Sequence, residues 1–317
     1  MYRGKSIAVV VPAWNEEPHI GKVLEGMPQF VDVVYVVDDA STDRTADIVR
    51  AFIANSRTHA PTHSSEAGAL THSRTHALTH SSVAGALTHS STHALTHSCE
   101  AGALPHSRTA AEGPRIELVQ HARNSGVGAA IVSGYKCALA DGMDIAAVMA
   151  GDNQMEPEWL PKVLDPVIDG RADYSKGTRV KDLAHLKGMS PWRRLGNFTL
   201  RWLTVIASGN PAVTDPQHGY AAISREALER LDLDAVYPYY GYCNDLVVRL
   251  SAQHRRVVEV PMPSMYHGEV SKIRYHRYIP KVSMLLLRLF VWRVTGRLSA
   301  SRRASPGSPV TVEGRNA

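Results

Sequence analysis

Val148-Met149-Ala150-Gly151-Asp152-Asn153-Gln154-Met155-Glu156-Pro157 is the stretch that decides how this chain is read. The apolar run from Ile145 to Ala150 has the length and continuity of a strand covered on both faces. Gly151 stops it. Pro157 opens a helix predicted over Glu158–Ile168, because proline is tolerated in a first helical turn. The acidic-amide loop between them falls at the carboxyl end of a strand, where open α/β sheets bind ligands. Asp152 and Gln154 there offer hard oxygen donors suited to Mg²⁺ or Mn²⁺ holding a diphosphate. A plain strand-to-helix turn capped by Asp152 is the competing reading.

Working upstream, Ser6–Val11 is β-branched and continuous, again a buried strand. Pro12-Ala13-Trp14-Asn15-Glu16-Glu17 forms its turn, and Ile20, Val23, Leu24 and Met27 recur at helical spacing. A second strand, Asp32–Val37, ends in Asp38-Asp39-Ala40-Ser41-Thr42-Asp43. A helix is predicted over Arg44–Ala54, with Thr42 or Asp43 as its cap. Strand, turn, helix, strand, turn, helix predicts an α/β fold with a mostly parallel sheet. Between about Ser56 and Gly113 the logic breaks. Gly-Ala-Leu recurs at Gly68, Gly85 and Gly102 in a unit full of Thr, Ser and His. Such a unit buries too little to offset its ordering entropy, so a disordered loop insertion is expected.

The pattern resumes with a strand over Arg115–His121, a glycine turn at Asn124-Ser125-Gly126-Val127-Gly128 and a helix over Ala129–Ala140. Beyond the central loop come a strand ending in Lys176-Gly177-Thr178-Arg179 and a basic apolar helix over Arg193–Ala207. The polar loop Asp215-Pro216-Gln217-His218-Gly219-Tyr220 leads to a strand at Ala221–Ser224. Asn244-Asp245 opens a further helix, and Val257–Val260 is a strand. Tyr278–Leu298 is amphipathic and basic, suited to an anionic membrane surface or to packing on the domain. The organisation expected is one domain over 1–275, interrupted by the insertion at 56–113, with 276–317 forming that helix and a disordered tail.

Composition bounds the function. The chain has 317 residues, 44% of them hydrophobic, and a formal charge of +5 concentrated late in the sequence. A basic excess favours anionic partners: a nucleotide diphosphate, a lipid phosphate or an acidic membrane face. No nucleic-acid module is visible, which argues against a polymeric nucleic acid as partner. Three cysteines without short spacing exclude a disulfide framework or a zinc site and lead to the expectation of a reducing cytoplasm. A signal peptide and any long apolar span are lacking, so a cytoplasmic protein, peripheral on the cytoplasmic membrane face, is expected.

Taken together and in order, Pro12-Ala13-Trp14-Asn15-Glu16, Asp38 to Asp43, Asn124-x-Gly126-x-Gly128 and Gly151-Asp152-Asn153-Gln154 resemble glycosyltransferase family 2, of the GT-A fold. The branch most similar is that of the dolichyl and polyprenyl-phosphate sugar transferases, over about 1–54 and 114–275. The resemblance implies an inverting transfer of a hexose from a nucleotide-diphosphate sugar, with Mg²⁺ or Mn²⁺, to a lipid phosphate or another glycan or lipid acceptor. It assigns Pro12, Ala13, Asn15 and Glu16 to nucleotide binding, and Asp38 and Asp39 to base and ribose. Capping roles compete for both sets. Asn124, Gly126 and Gly128 would let backbone N–H groups approach an anion, or serve a structural turn.

The resemblance makes Asp152 the metal-binding acid, with Gln154 orienting sugar or metal. Ala150 departs from the family, standing where the first acid of its Asp-x-Asp belongs. Arg179 and Arg194 match phosphate-facing positions, for which the planar guanidinium is suited. Asp215 matches the acceptor-side aspartate, with His218 replacing a serine. Asp245 is the candidate general base for a hydroxyl acceptor, whereas an ionised lipid phosphate requires none; helix capping competes at Asn244 and Asp245. Ser271 and Lys272 match a closing loop that meets the diphosphate. Two rivals stay open: a nucleotidyltransferase on a similar scaffold, and a non-catalytic nucleotide-sugar-binding or membrane-docking protein with a degenerate metal site.

Overall fold

Ile7-Ala8-Val9-Val10-Val11 shows no polar alternation because both of its faces are covered. In the computed structural model, which describes residues 1–58, 113–179, 191–263 and 275–303, this run lies in β1 (Ile7–Ala13) at the middle of the molecule. Ala8 and Val10 point into one core with Val33, Tyr35, Val37, Ala146 and Val148. Ile7, Val9 and Val11 point into the opposite core with Val34, Val36, Ile145, Ala147 and Met149. The repeat beyond residue 58, the segment from 180 to 190, the loop carrying Ser271 and Lys272, and the tail after 303 lie outside the described residues.

The described strands form a seven-stranded sheet in the order β3-β2-β1-β4-β6-β5-β7. β2 (Val33–Asp38), β3 (Arg115–Gln120) and β4 (Ile145–Val148) run parallel to β1, with Ala13 opposite Asp38 and Val10 opposite Val148. β6 (Ala221–Ser224) runs antiparallel between β4 and β5 (Tyr174–Thr178), and β7 (Val257–Pro261) is parallel to β5. β5 is therefore parallel to β4, and the carboxyl ends of β1, β2, β4 and β5 share one edge. The amino end of β6 meets that same edge. Its antiparallel course was not visible in the sequence.

Helices close both faces. α1 (Ile20–Glu25), α2 (Thr45–Thr58) and α4 (Leu160–Ile168) supply residues to one core, while α3 (Val127–Ala140), α6 (Arg225–Glu229) and α7 (Tyr242–Ala252) supply the other. The predicted start of α4 is a 3₁₀ turn, Pro157–Trp159, before the α-helix proper. Gly134 lets α3 lie directly on β1, since a Cβ there would come within 2.3 Å of Val10 Cγ1. α5 (Pro191–Ser208) and α8 (Tyr275–Arg303) make a third core with α7 through Leu200, Ala207, Val248, Val282, Leu286 and Leu289.

Candidate active site

The turns after β1 and β2 are sewn together by their own polar groups. The Asn15 N–H donates to Ser41 Oγ (2.9 Å), and Asn15 Oδ1 accepts from the Thr42 N–H (2.8 Å). The Glu16 N–H donates to Thr45 Oγ1 (2.9 Å) and the Glu17 N–H to Asp43 Oδ2 (3.1 Å). Asp43 also accepts from the Thr45 N–H, the first of α2, at 3.0 Å. Asn15, Ala40 and Asn153 all adopt left-handed φ, at 55°, 58° and 58°, one in each of the turns after β1, β2 and β4. Asn accepts that region readily; Ala40 does so at a cost of about 1 kcal/mol.

The paired acids divide their work. Asp38 Oδ1 accepts from the Ser41 N–H at 3.0 Å and Oδ2 from Gln120 Nε2 at 3.2 Å. Asp39 is buried, and its Oδ1 takes the Ser125 N–H (2.8 Å) and sits 2.7 Å from His121 Nδ1, while Oδ2 takes the Gly126 N–H (2.8 Å). Burial alone would raise the Asp39 pKa; the bonds from His121, Ser125 and Gly126 outweigh it and hold the carboxyl below its ordinary value. The anion at the start of α3 is thus Asp39 itself. Of the turn expected to offer N–H groups to an anion, the Gly126 N–H is thus taken by Asp39, as is that of Ser125.

The two glycines answer to packing. A Cβ on Gly126, whose φ is 97°, would lie 2.5 Å from the Pro238 oxygen, and one on Gly128 would lie 2.3 Å from the Tyr237 oxygen. The segment 237–241 therefore presses directly on the Asn124–Gly128 turn, and the Ala129 N–H donates to the Pro238 carbonyl at 3.1 Å.

On the other side of β1, the Gly151 N–H reaches the Pro12 carbonyl (3.3 Å), while the Asp39 N–H reaches the Ala13 carbonyl (2.9 Å). Asp39 and the Asp152 loop therefore flank the end of the same strand, which puts both at one edge. Asp152 is half-buried, and its Oδ1 accepts the Gln154 N–H at 3.1 Å. Gln154, Met155 and Glu156 line a shallow cleft with Trp159, His218, Tyr220 and Met262. Tyr220 ties its two walls by donating to the Glu156 carbonyl at 3.1 Å.

Behind His218 lies a charged cluster that sequence reasoning only partly found. Arg179 grips Asp215 with Nε to Oδ2 at 2.7 Å and Nη2 to Oδ1 at 3.1 Å. The fully buried Lys176 donates to the Asp215 carbonyl. Glu259 Oε1 accepts the Thr214 and Asp215 N–H groups at 3.0 and 3.1 Å, fixing the loop. Burial raises the Asp215 pKa, but the Arg179 guanidinium overcomes this and holds the carboxyl well below the carboxylate range. Burial, with Arg179 adding to it, pushes His218 down to about 3, so its ring is neutral at physiological pH. Lys176, Glu259 and His121 were not singled out as site residues. Their signal was faint: single polar residues in or beside apolar strands.

Asp245 is fully buried in the first turn of α7. It accepts from Arg249 Nε (2.7 Å) and the Tyr237 N–H (2.6 Å), and burial raises its pKa above the usual value despite both. This corrects two expectations. Sealed and paired in this way, Asp245 has no access to an acceptor's proton. The helix cap is Gly241, so neither Asn244 nor Asp245 caps α7; Asn244 instead donates to Thr204 Oγ1 of α5 at 2.8 Å. Arg194 lies on α5 with its side chain outside the described atoms. Ser271 and Lys272 are also outside them.

Among the described residues no three His, Cys, Asp or Glu side chains are grouped closely enough to cage a metal ion. The Asp152 loop fits a cation differently: one carboxylate and a neighbouring amide suit a Mg²⁺ or Mn²⁺ ion whose remaining ligands are phosphate oxygens and water.

Comparison with known proteins agrees with this geometry. The model for glycosyl transferase family 2 matches residues 8–82 and 101–232. A UDP-N-acetylglucosamine–dolichyl-phosphate N-acetylglucosaminyltransferase from Methanococcus voltae is 31% identical over 48% of this chain, which spans 60% of that protein. A polyprenol monophosphomannose synthase from Mycolicibacterium smegmatis is 31% identical over 61% of this chain and 71% of its own. Glucosyl-3-phosphoglycerate synthase from Mycobacterium tuberculosis, solved with Mn²⁺, uridine diphosphate and phosphoglyceric acid, superposes with a TM-score of 0.54 over 92% of this chain and 78% of that one. At 17% identity this last likeness concerns the fold, which is the expected GT-A arrangement.

Proposed function

The chain belongs to glycosyltransferase family 2, and from that premise we propose that it moves a hexose from a nucleotide-diphosphate sugar onto a polyprenyl or dolichyl phosphate. The observation that carries the choice of acceptor is the state of the two acids expected near it. Asp245 is sealed against Arg249, and Asp215 is a weak base held by Arg179. A hydroxyl acceptor needs a base to take its proton; an ionised phosphate does not. The relatives named for dolichyl phosphate and polyprenol point the same way.

An acceptor phosphate oxygen attacks the anomeric carbon on the face opposite the diphosphate. The new C–O bond forms as the old one breaks, and the nucleoside diphosphate departs with the electron pair, inverting the centre. No proton moves at the acceptor. Asp215 fixes the plane of the Arg179 guanidinium; on this reading the N–H groups that remain would meet a phosphate without reorganising during the step. Asp39 holds the Ser125–Gly126 turn against the end of β2, shaping the nucleotide side of the same edge. Asp152, with Gln154 beside it, would hold Mg²⁺ or Mn²⁺, which when bound neutralises charge on the leaving diphosphate.

The test is purified protein with Mg²⁺ or Mn²⁺, a panel of labelled nucleotide sugars, and either polyprenyl phosphate or the matching alcohol. Transfer to the phosphate alone is expected. No transfer or donor hydrolysis, together with no nucleotide-dependent thermal shift, counts against the reading. Ala150 favours a second reading, a nucleotide-sugar-binding protein that has lost turnover. Ala150→Asp separates them: a large gain from near zero supports the degenerate site, little change a native one-carboxylate site.

A further inference from the structure

α8 is apolar on two sides. Val282, Leu286 and Leu289 are buried against α5 and α7. Met284, Leu287, Val291 and Val294 recur every three or four residues on the other side and are 53, 56, 48 and 37% exposed. α5 does the same with Phe198, Trp202 and Ile206, spaced by four and 57, 49 and 54% exposed. Large apolar side chains in bare rows mark a surface that something covers. The two helices lie side by side and run the same way. Gly196 abuts Ile279 near their starts; further along, Arg293 lies over Gly209 and donates to the Ile206 carbonyl at 3.0 Å. The bare rows are therefore neighbouring ridges.

Charge selects the occupant. α5 carries three arginines and α8 seven Lys or Arg, and neither contains an Asp or Glu. Arg201 lies over the ring of the half-exposed Trp202 at 5.9 Å. Half-exposed tryptophan flanked by arginine suits the boundary between acyl chains and headgroups. A two-fold contact between copies of this chain sets like charges against each other, with no acid on either helix to offset them. We propose that α5 and α8 form a platform that docks flat on an anionic bilayer, its apolar ridges entering the acyl boundary and its arginines lying among lipid phosphates.

The platform adjoins the candidate site. Gly241 touches Val282 and Leu285 of α8, and the same segment presses Pro238 onto Gly126. The segment that presses on the turn Asp39 holds is thus packed against the inner, buried side of the platform. No helix among the described residues is long and apolar enough to cross a membrane, so the contact is one of surface.

The experiment is co-sedimentation of the whole chain with vesicles of phosphatidylcholine alone or mixed with phosphatidylglycerol, with no donor or acceptor sugar present, so that it can fail while glycosyl transfer holds. Binding to the anionic vesicles only, weakened by salt, is expected. Ile206→Glu with Leu287→Glu should lower it by about tenfold or more with an unchanged melting temperature, since both side chains are already exposed. No binding by the parent chain, or equal binding by the variant, overturns the proposal. So does a concentration-dependent dimer that the variant abolishes, which assigns the face to a second copy.

Discussion

Asp215 shows what a single side chain contributes when its charge is matched from within. Its carboxylate is nearly buried and forked by Arg179, so removing the charge strands the guanidinium. Asp215→Asn is expected to cost about 2 kcal/mol, less than a fully buried pair would, because the Arg179 side chain is 30% exposed. Urea unfolding at neutral pH measures this. His218 sets a pH dependence of its own. Its folded pKa, about 3, lies below the ordinary 6.5, so the unfolded chain takes up a proton first. The stability this represents is present above about pH 6.5 and is lost as pH falls toward 3. His218→Gln should flatten the fall of the urea midpoint across that window. The Asp215 share is lost only below the ordinary carboxylate value of 3.8. Asp152→Asn keeps the shape of the loop and removes its charge. We expect the Mn²⁺-dependent thermal shift with whichever nucleoside diphosphate stabilises the parent chain to vanish and transfer to fall on the order of 100-fold; an unchanged shift sinks the metal assignment.

At the scale of elements, the carboxyl edge of the sheet is held by loops that bind one another. The turn after β1 donates to the turn after β2; Asp39 holds the start of α3; the segment before α7 lies on Gly126 and Gly128. Gly128→Ala places a methyl 2.3 Å from the Tyr237 oxygen, so either α3 or that segment must move. A loss of about 2–3 kcal/mol is expected in urea unfolding, against less than 1 kcal/mol gained from helix propensity. A neutral Gly128→Ala would show that the close approach is relieved at no cost. The glycines were legible in the sequence as a tight turn. That the partner was a protein segment more than one hundred residues away was not, because a glycine records the need for space and not what fills it.

For the whole molecule, the pairing of β3 with β2 explains why an insertion between α2 and β3 is tolerated. β3 lies in parallel register with β2 from Val33 opposite Arg115 to Asp38 opposite Gln120, a contact made by residues on either side of the repeat. Replacing 60–111 with a short Gly-Ser linker is therefore expected to leave a cooperative unfolding transition within about 3 °C of the parent. Loss of that transition in a thermal melt would make the repeat part of the fold.

Local chemistry was enough to place the strands, the polar turns that follow them and the family they resemble. A buried strand needs an unbroken apolar run, and a ligand-binding turn needs polar groups at its end; both are written within ten residues. What only the tertiary structure decided was which polar groups already have partners. Asp39, Asp215 and Asp245 look alike in the sequence, as acids at turns or helix starts. The fold gives the first to the turn before α3, the second to Arg179 and the third to Arg249 and the Tyr237 N–H. A carboxylate's availability depends on donors brought near it by chain segments distant in sequence, and that proximity exists only once the sheet and its helices have packed.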